Sequence, residues 1–260
     1  AILALVCCQC IGGPIMRPHD SHIRSSRLWQ KEVDIDGTKI TLVEDPTLPS
    51  SGDETWCAWC AWPAAFALAH YLATWPEGQL AERCILELGA GIGVLGMYCA
   101  KKGSSRVLLT DLYRCLQLLR QNVVENKCLA RDGGCCEVLP YPWGTPLNRV
   151  PVAVTELLRQ PKVLVLAADC TYDPGPRDLL VQSLAEILAF RSTGGHIDEE
   201  PLAGDQLQFA VLVALESRPG EAASWEESAL AGGLLIDELY RCPPGTAGDS
   251  TYECIVYTVG

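Results

Sequence analysis

Cys84-Ile85-Leu86-Glu87-Leu88-Gly89-Ala90-Gly91-Ile92-Gly93-Val94-Leu95-Gly96 is the stretch on which the reading of this chain turns. Residues 84 to 88, apolar except for Glu87, read as a short buried strand. After Gly93 the apolar residues continue at helical spacing to Lys102, and Gly103 stops them. Between the two lies a glycine loop. Glycine turns sharply and lets the backbone approach a ligand with no Cβ in the way, so strand, glycine loop and helix together are the setting for a phosphate or nucleoside site. Residues 91 to 96 also spell G-x-G-x-x-G, the dinucleotide pattern.

Working outward, the same alternation continues downstream. Arg106 to Thr110 reads as a strand, Leu112 to Asn126 as a helix, Cys136 to Leu139 and Lys162 to Ala168 as strands, and Arg177 to Phe190 as a helix. Gln208 to Ala214 follows as a strand, Ser224 to Ala231 as a helix, and Leu234 to Tyr240 and Thr251 to Val259 as two final strands. Repeated strand–helix units predict an α/β, Rossmann-like, seven-stranded and mostly parallel sheet with helices on both faces. The last two strands have no helix between them, so they are expected as an antiparallel hairpin at one edge. Upstream, Ala64, Ala65, Leu68, Ala69 and Leu72 recur at three and four, with Pro63 at a first helical position. Earlier still, Lys31 to Ile35 and Thr38 to Val43 flank Asp36-Gly37 as a β-hairpin. Residues 1–55 are therefore read as an N-terminal extension carrying a hairpin and 56–260 as the main domain. Arg191 to Gln206 reads as a solvent loop.

Composition narrows the function. Among 260 residues, 32 Asp and Glu face 20 Lys and Arg, a formal charge of -12. That field disfavours nucleic acid as a partner, and no apolar run is long enough to span a membrane. Fourteen cysteines do not read as a disulfide framework, since Cys84, Cys99, Cys115, Cys170 and Cys254 sit in apolar stretches. The expected setting is a reducing one: the cytoplasm first, the nucleus second. Ala1 to Met16, apolar and Cys-rich with no basic stretch before it, reads as a truncated start.

Two ligand classes compete for the glycine loop. Glu87 ends its strand two residues before the first glycine, where a carboxylate repels a pyrophosphate but suits the amino group of a methionine moiety. Gly89 and Gly91 add a glycine turn earlier than a dinucleotide fingerprint needs. Asp111, at the end of the next strand, can accept both ribose hydroxyls and fits either ligand. The first two features favour S-adenosylmethionine as cofactor over NAD.

With these residues in view, the chain resembles the seven-stranded, class I methyltransferases, and among them the methyltransferase-like protein-lysine methyltransferases. The resemblance runs from about Leu28 to the C-terminus. It rests on Trp62-Pro63-Ala64-Ala65, Glu87 to Gly93, Trp143-Gly144, and Ala168-Asp169-Cys170-Thr171-Tyr172-Asp173. It implies that Trp62, Glu87, Gly89, Ala90, Gly91 and Gly93 contact the cofactor, with Asp111 and the adjoining Leu112 at the ribose. Trp143 is implied beside the adenine, and Ala168 at the methionine end. Asp169 and Tyr172 are the implied catalytic pair. This chain reads Pro140-Tyr141-Pro142 before Trp143, where the family often carries an acidic residue.

The expected reaction is transfer of a methyl group to a protein side chain, a lysine ε-amine first, by a monomer. A lysine must be neutral to attack, and burial beside a sulfonium lowers its pKa. Asp169 is expected to orient the amine, while Tyr172 offers a hydroxyl and a ring face. The alternatives are a histidine or small-molecule acceptor, an NAD(P)-dependent oxidoreductase, and a scaffold that kept the fold but lost turnover. Cys57 and Cys60 form a C-x-x-C outside the strand–helix context of redox motifs, and no regular second pair supports a metal site. His70 reads as packing. Glu216 and Arg218 follow a strand at the sheet's functional edge, where substrate contact is plausible.

Overall fold

The computed structural model describes residues 28–45, 58–130, 133–194, 208–247 and 250–260. The Cys-rich start, Trp56 and Cys57, and residues 195–207 lie outside the described residues. In chain order the elements are β1 (Trp29–Ile35), β2 (Thr38–Glu44), α1 (Pro63–Ala73), β3 (Cys84–Leu88), α2 (Val94–Lys101) and β4 (Arg106–Asp111). A 3-10 turn, Tyr113–Cys115, leads into α3 (Leu116–Glu125), followed by β5 (Cys136–Pro140), α4 (Val152–Leu158), β6 (Val163–Ala168) and α5 (Pro174–Gly194). The chain ends with β7 (Phe209–Glu216), α6 (Glu221–Ala231), β8 (Ile236–Cys242) and β9 (Cys254–Val259).

The main sheet has seven strands in the order β5-β4-β3-β6-β7-β9-β8. Neighbours from β5 to β7 are parallel, and β9 runs antiparallel to both β7 and β8. The Rossmann-like α/β fold expected from the alternation is thus present, including the antiparallel edge. Side chains alternate across the strands, which sorts the core into two layers. Ile85, Val107, Leu109, Leu164, Leu166 and Leu212 face α1, α2 and α3. Leu86, Leu108, Val163, Val165, Val211 and Val213 face α4, α5 and α6. Both faces being covered, β3 is buried along its whole length, as a parallel central strand must be.

The hairpin β1–β2 turns on Asp36 and Gly37, with φ of 49° and 76°, the two left-handed residues of a tight two-residue turn. Ile35, Ile40, Leu42 and Val43 bury into the core beside α1, α2 and α3. The free edge of β2 is paired by side chains. Asn122 accepts from Val43 N (2.7 Å) and donates to Val43 O (2.9 Å), and Asn126, one turn further along α3, does the same at Thr41 (2.9 and 2.7 Å). Two asparagine amides act as a surrogate strand along this edge at Thr41 and Val43.

The sequence reading passed over α4. A parallel step from β5 to β6 needs a crossover, and Val154, Leu157 and Leu158 supply its buried stripe. Helix α5 is longer than expected: it begins at Pro174, and residues 191–194 of the expected loop continue it. The last two strands sit two to three residues later than their predicted starts.

Candidate active site

Strand β3 comes first in the chain among the parallel strands, with β4 and β5 laid on one side and β6 and β7 on the other. The crevice opens where that order reverses, at the carboxyl ends of β3, β4 and β6. The cleft found there is lined by Cys60, Ala61, Trp62, Ala65, Glu87, Gly89, Ala90, Gly91, Ile92, Val94 and Ala168. Six of the residues selected from sequence therefore converge on one space: Trp62, Glu87, Gly89, Ala90, Gly91 and Ala168.

Two glycines in the loop have no substitute. Gly89 is left-handed (φ 67°), and a Cβ there would lie 2.5 Å from the Trp143 ring and 2.7 Å from Cys170 Sγ. Trp143 thus sits directly against the first glycine of the loop. A Cβ on Gly96 would lie 2.2 Å from Leu109 and 2.6 Å from Glu87 Oε2. That close approach lets Gly96 N donate to Glu87 Oε2 at 2.9 Å. Gly93 is the N-cap of α2, so Gly96 N is one of that helix's unpaired donors, and Glu87 caps it from the neighbouring strand.

Glu87 is 3% exposed. Burial pushes its carboxyl up to about 8; the Gly96 N–H pulls the other way, and the Asp111 charge adds to the rise. Asp111 ends β4 and secures the loop from the other side: Oδ2 accepts from Gly91 N (2.8 Å) and Oδ1 from Leu112 N (2.7 Å). Burial raises the Asp111 carboxyl above its usual range, and the Gly91 and Leu112 N–H groups hold it back. Ala90 N donates to Thr110 O (2.9 Å), and the Thr110 hydroxyl donates to Glu87 O (2.7 Å). These bonds lock the loop to β4. Trp143 is followed by left-handed Gly144, whose N–H donates to Ser183 Oγ on α5 at 2.8 Å.

Asp169, at the end of β6, is held from two sides. Its side chain is only 1% exposed. Oδ2 accepts from Ala64 N (2.9 Å), in the first turn of α1, and Oδ1 accepts from Glu216 N (3.0 Å), with Arg218 Nη1 at 3.6 Å. Burial raises this carboxyl, while Arg218 and the two N–H donors restrain it. With both oxygens engaged, Asp169 fixes the start of α1, and with it Trp62, to the end of β6. Asp169 itself is left-handed (φ 54°), and its N–H, donating to Ala214 O at 2.9 Å, continues the β6–β7 ladder. Tyr172 is 38% exposed and does not line the cleft.

Arg218, Glu216 and Glu221 complete the far side. Arg218 reaches Glu216 Oε2 at 2.8 Å and Glu221 Oε2 at 3.0 Å, and its guanidinium lies 5.6 Å from the centre of the Trp62 ring. Sequence reasoning flagged Glu216 and Arg218 only as possible substrate contacts and missed Glu221. The available signal was an acid-x-basic pair at the end of a parallel strand. Among the described residues no group of His, Cys, Asp and Glu is arranged to hold a metal ion, and no helix is long and apolar enough to cross a membrane. Cys84, Cys99, Cys170 and Cys254 are buried, reduced thiols.

The cleft has relatives. Human histone-arginine methyltransferase METTL23 is 30% identical over 114 residues, which is 43% of this chain and 54% of that protein. The chain thus spans about half the length of this curated relative. The T. thermophilus 16S rRNA N2 G1207 methyltransferase RsmC, solved with AdoMet and guanosine, shares the fold with a TM-score of 0.53 at 17% identity, over 92% of this chain and 52% of that one. A family model described as lysine methyltransferase matches residues 45–195, which contain the glycine loop, Asp111, Trp143 and the Asp169-x-x-Tyr172 segment. This match decides the competition at the glycine loop for S-adenosylmethionine over a dinucleotide: the chain belongs to the lysine methyltransferase family.

Proposed function

We propose that this protein transfers a methyl group from S-adenosylmethionine to a side-chain nitrogen of another protein, a lysine ε-amine first. The observation that carries this reading is the cleft of Trp62, Glu87, Gly89, Ala90 and Ala168 at the carboxyl ends of β3 and β6, within the segment that matches the lysine methyltransferase family model. A lysine ε-amine is the acceptor that the family's description names. The net charge of -12 supports a protein acceptor over nucleic acid. A monomer working in the cytoplasm or nucleus remains the proposed context.

When bound, S-adenosylmethionine supplies a methyl group already activated by its sulfonium. This chain's residues then position and desolvate. Glu87 offers its free carboxylate oxygen to a cationic amino group at the methionine end. With the cofactor bound, Asp111 and Leu112 would stand at the ribose hydroxyls, and the Trp143 ring, packed against Gly89, would stand beside the adenine. A lysine entering past Tyr172 loses its hydration and, next to a positive sulfonium, its proton. The neutral nitrogen forms the new N–C bond as the S–C bond breaks, and the departing proton goes to water, because both oxygens of Asp169 are engaged.

Arginine is the second reading, favoured by the named activity of METTL23. Incubation of the protein with tritiated cofactor, core histones and cell extract, followed by mass spectrometry of the labelled residue, separates the two. Label on lysine supports the first reading and label on arginine the second. Binding of S-adenosylhomocysteine with no transfer would leave a scaffold.

A further inference from the structure

Glu216-Ser217-Arg218-Pro219-Gly220-Glu221 carries the chain from β7 into α6 in very few residues. Arg218 N donates to Glu216 O (2.7 Å), Glu221 N donates to Arg218 O (2.9 Å), and left-handed Gly220 caps α6. This tight turn aims the Arg218 side chain inward, where 27% of it stays exposed. Its three carboxylate partners are each held from a second direction. Glu216 Oε1 accepts from Ser250 Oγ (3.1 Å) and Thr251 N (3.2 Å), Glu221 Oε1 accepts from Thr171 Oγ1 (2.9 Å), and Asp169 holds the first turn of α1.

One guanidinium therefore joins the ends of β6 and β7, the starts of α1 and α6, and the segment before β9. Its Cζ lies 5.6 Å from the centre of the Trp62 ring, within cation–π range, and Trp62 also lines the cofactor cleft. Burial works to lower the Arg218 pKa, but the charges of Asp169, Glu221 and Glu216 outweigh it and hold the group firmly protonated. A lysine in its place would keep the charge but lose the fork and the stacking plane.

We propose that Arg218 is a positioning residue for methyl transfer: acting through Trp62 and Asp169, it holds the shared wall between the cofactor cleft and the acceptor mouth. This rests on the methyl-transfer reading above and adds a residue that touches neither the reacting methyl nor the acceptor nitrogen. A small tilt of Trp62 would shift the line of attack, and a displacement of about 1 Å in such a step costs on the order of 100-fold in rate.

The experiment uses the whole chain as parent, R218M, R218K and E221Q. S-adenosylhomocysteine is titrated calorimetrically into each, and tritiated methyl transfer to core histones is measured at saturating cofactor, well below every melting transition. R218M is expected to bind about tenfold more weakly, a change of about 1.4 kcal/mol, and to turn over about 100-fold more slowly. R218K should fall between parent and R218M. E221Q breaks one ion pair yet leaves Arg218 on Trp62, so it should stay near parental turnover even where its melting temperature drops. Parental affinity and turnover in R218M would overturn the proposal, and so would a loss in E221Q equal to that in R218M, because Arg218 would then be a structural ion pair. If R218M does not fold, R218K decides: parental values overturn the proposal, and a graded loss supports it. The affinity arm stands alone if histones are not the acceptor. A parent that fails to bind S-adenosylhomocysteine would overturn the methyl-transfer reading itself.

Discussion

Replacing Glu87 with glutamine isolates the charge of a buried carboxylate while keeping its shape and its acceptance of Gly96 N–H. Glu87 moves from the usual 4.5 to about 8 on folding, so the folded state prefers the protonated form. The resulting penalty on folding is absent below the unfolded value, grows as pH rises from 4.5, and levels off above about 8. At pH 7 the span is 2.5 pH units, and about 1.36 kcal/mol per unit makes roughly 3 kcal/mol, an order-of-magnitude figure. Parent and E87Q, unfolded in urea at a series of pH values, should therefore diverge, the parent losing roughly 3 kcal/mol relative to E87Q between pH 4.5 and 7. Asp111, Asp169 and Glu221 are also raised, but they are common to both proteins and cancel in the difference. Ligand binding should show the same ionisation with the opposite sign. An amino group beside Glu87 supplies the positive charge that favours the carboxylate, so S-adenosylhomocysteine should displace about 0.9 of a proton at pH 7. Calorimetry in buffers of different ionisation enthalpy reads that number directly. Parent affinity should climb with pH up to about 8, while E87Q binds weakly and without pH dependence. Equal proton release by the two proteins, or parallel stability curves, would refute this account of Glu87.

Asn122→Ala removes both amide bonds to Val43 and leaves a strand edge unpaired, which should cost about 2–3 kcal/mol in urea and speed hydrogen exchange at Val43 N. Gly96→Ala forces a Cβ to within 2.2 Å of Leu109 and displaces the Glu87 carboxylate, so thermal unfolding should show a loss of about 1–3 kcal/mol, with cofactor affinity lost as well. Asp169→Asn keeps an acceptor for Ala64 N but removes a charge facing Arg218. It should lower stability by about 1–3 kcal/mol and change the near-ultraviolet dichroism of Trp62, and turnover should fall with it. Parental dichroism and rate in that variant would show that Asp169 does not anchor the wall.

Much of the fold was legible because its signals are local. A strand buried on both faces must be a continuous apolar run, as Cys84–Leu88 is but for Glu87, and a β-hairpin with Asp36-Gly37 announces itself by its turn. The glycine loop was legible for the same reason: a left-handed backbone at Gly89 and a contact with no room for a Cβ at Gly96 leave glycine as the residue that fits. Helix α4 escaped because its seven residues make barely two turns, too short a run to show a period.

By itself, the order of residues determined the alternating architecture, the nucleotide-type loop and the carboxylates at the ends of β3, β4 and β6. Only the tertiary structure decided what those carboxylates do. Asp169 accepts from Ala64, 105 positions earlier, and Asn122 pairs with Val43, 79 positions away. Spacing within one element cannot encode either bond. A buried polar group takes whatever partner packing brings within reach, and here packing gave Asp169 to the start of α1 and Arg218 to three acids and a tryptophan.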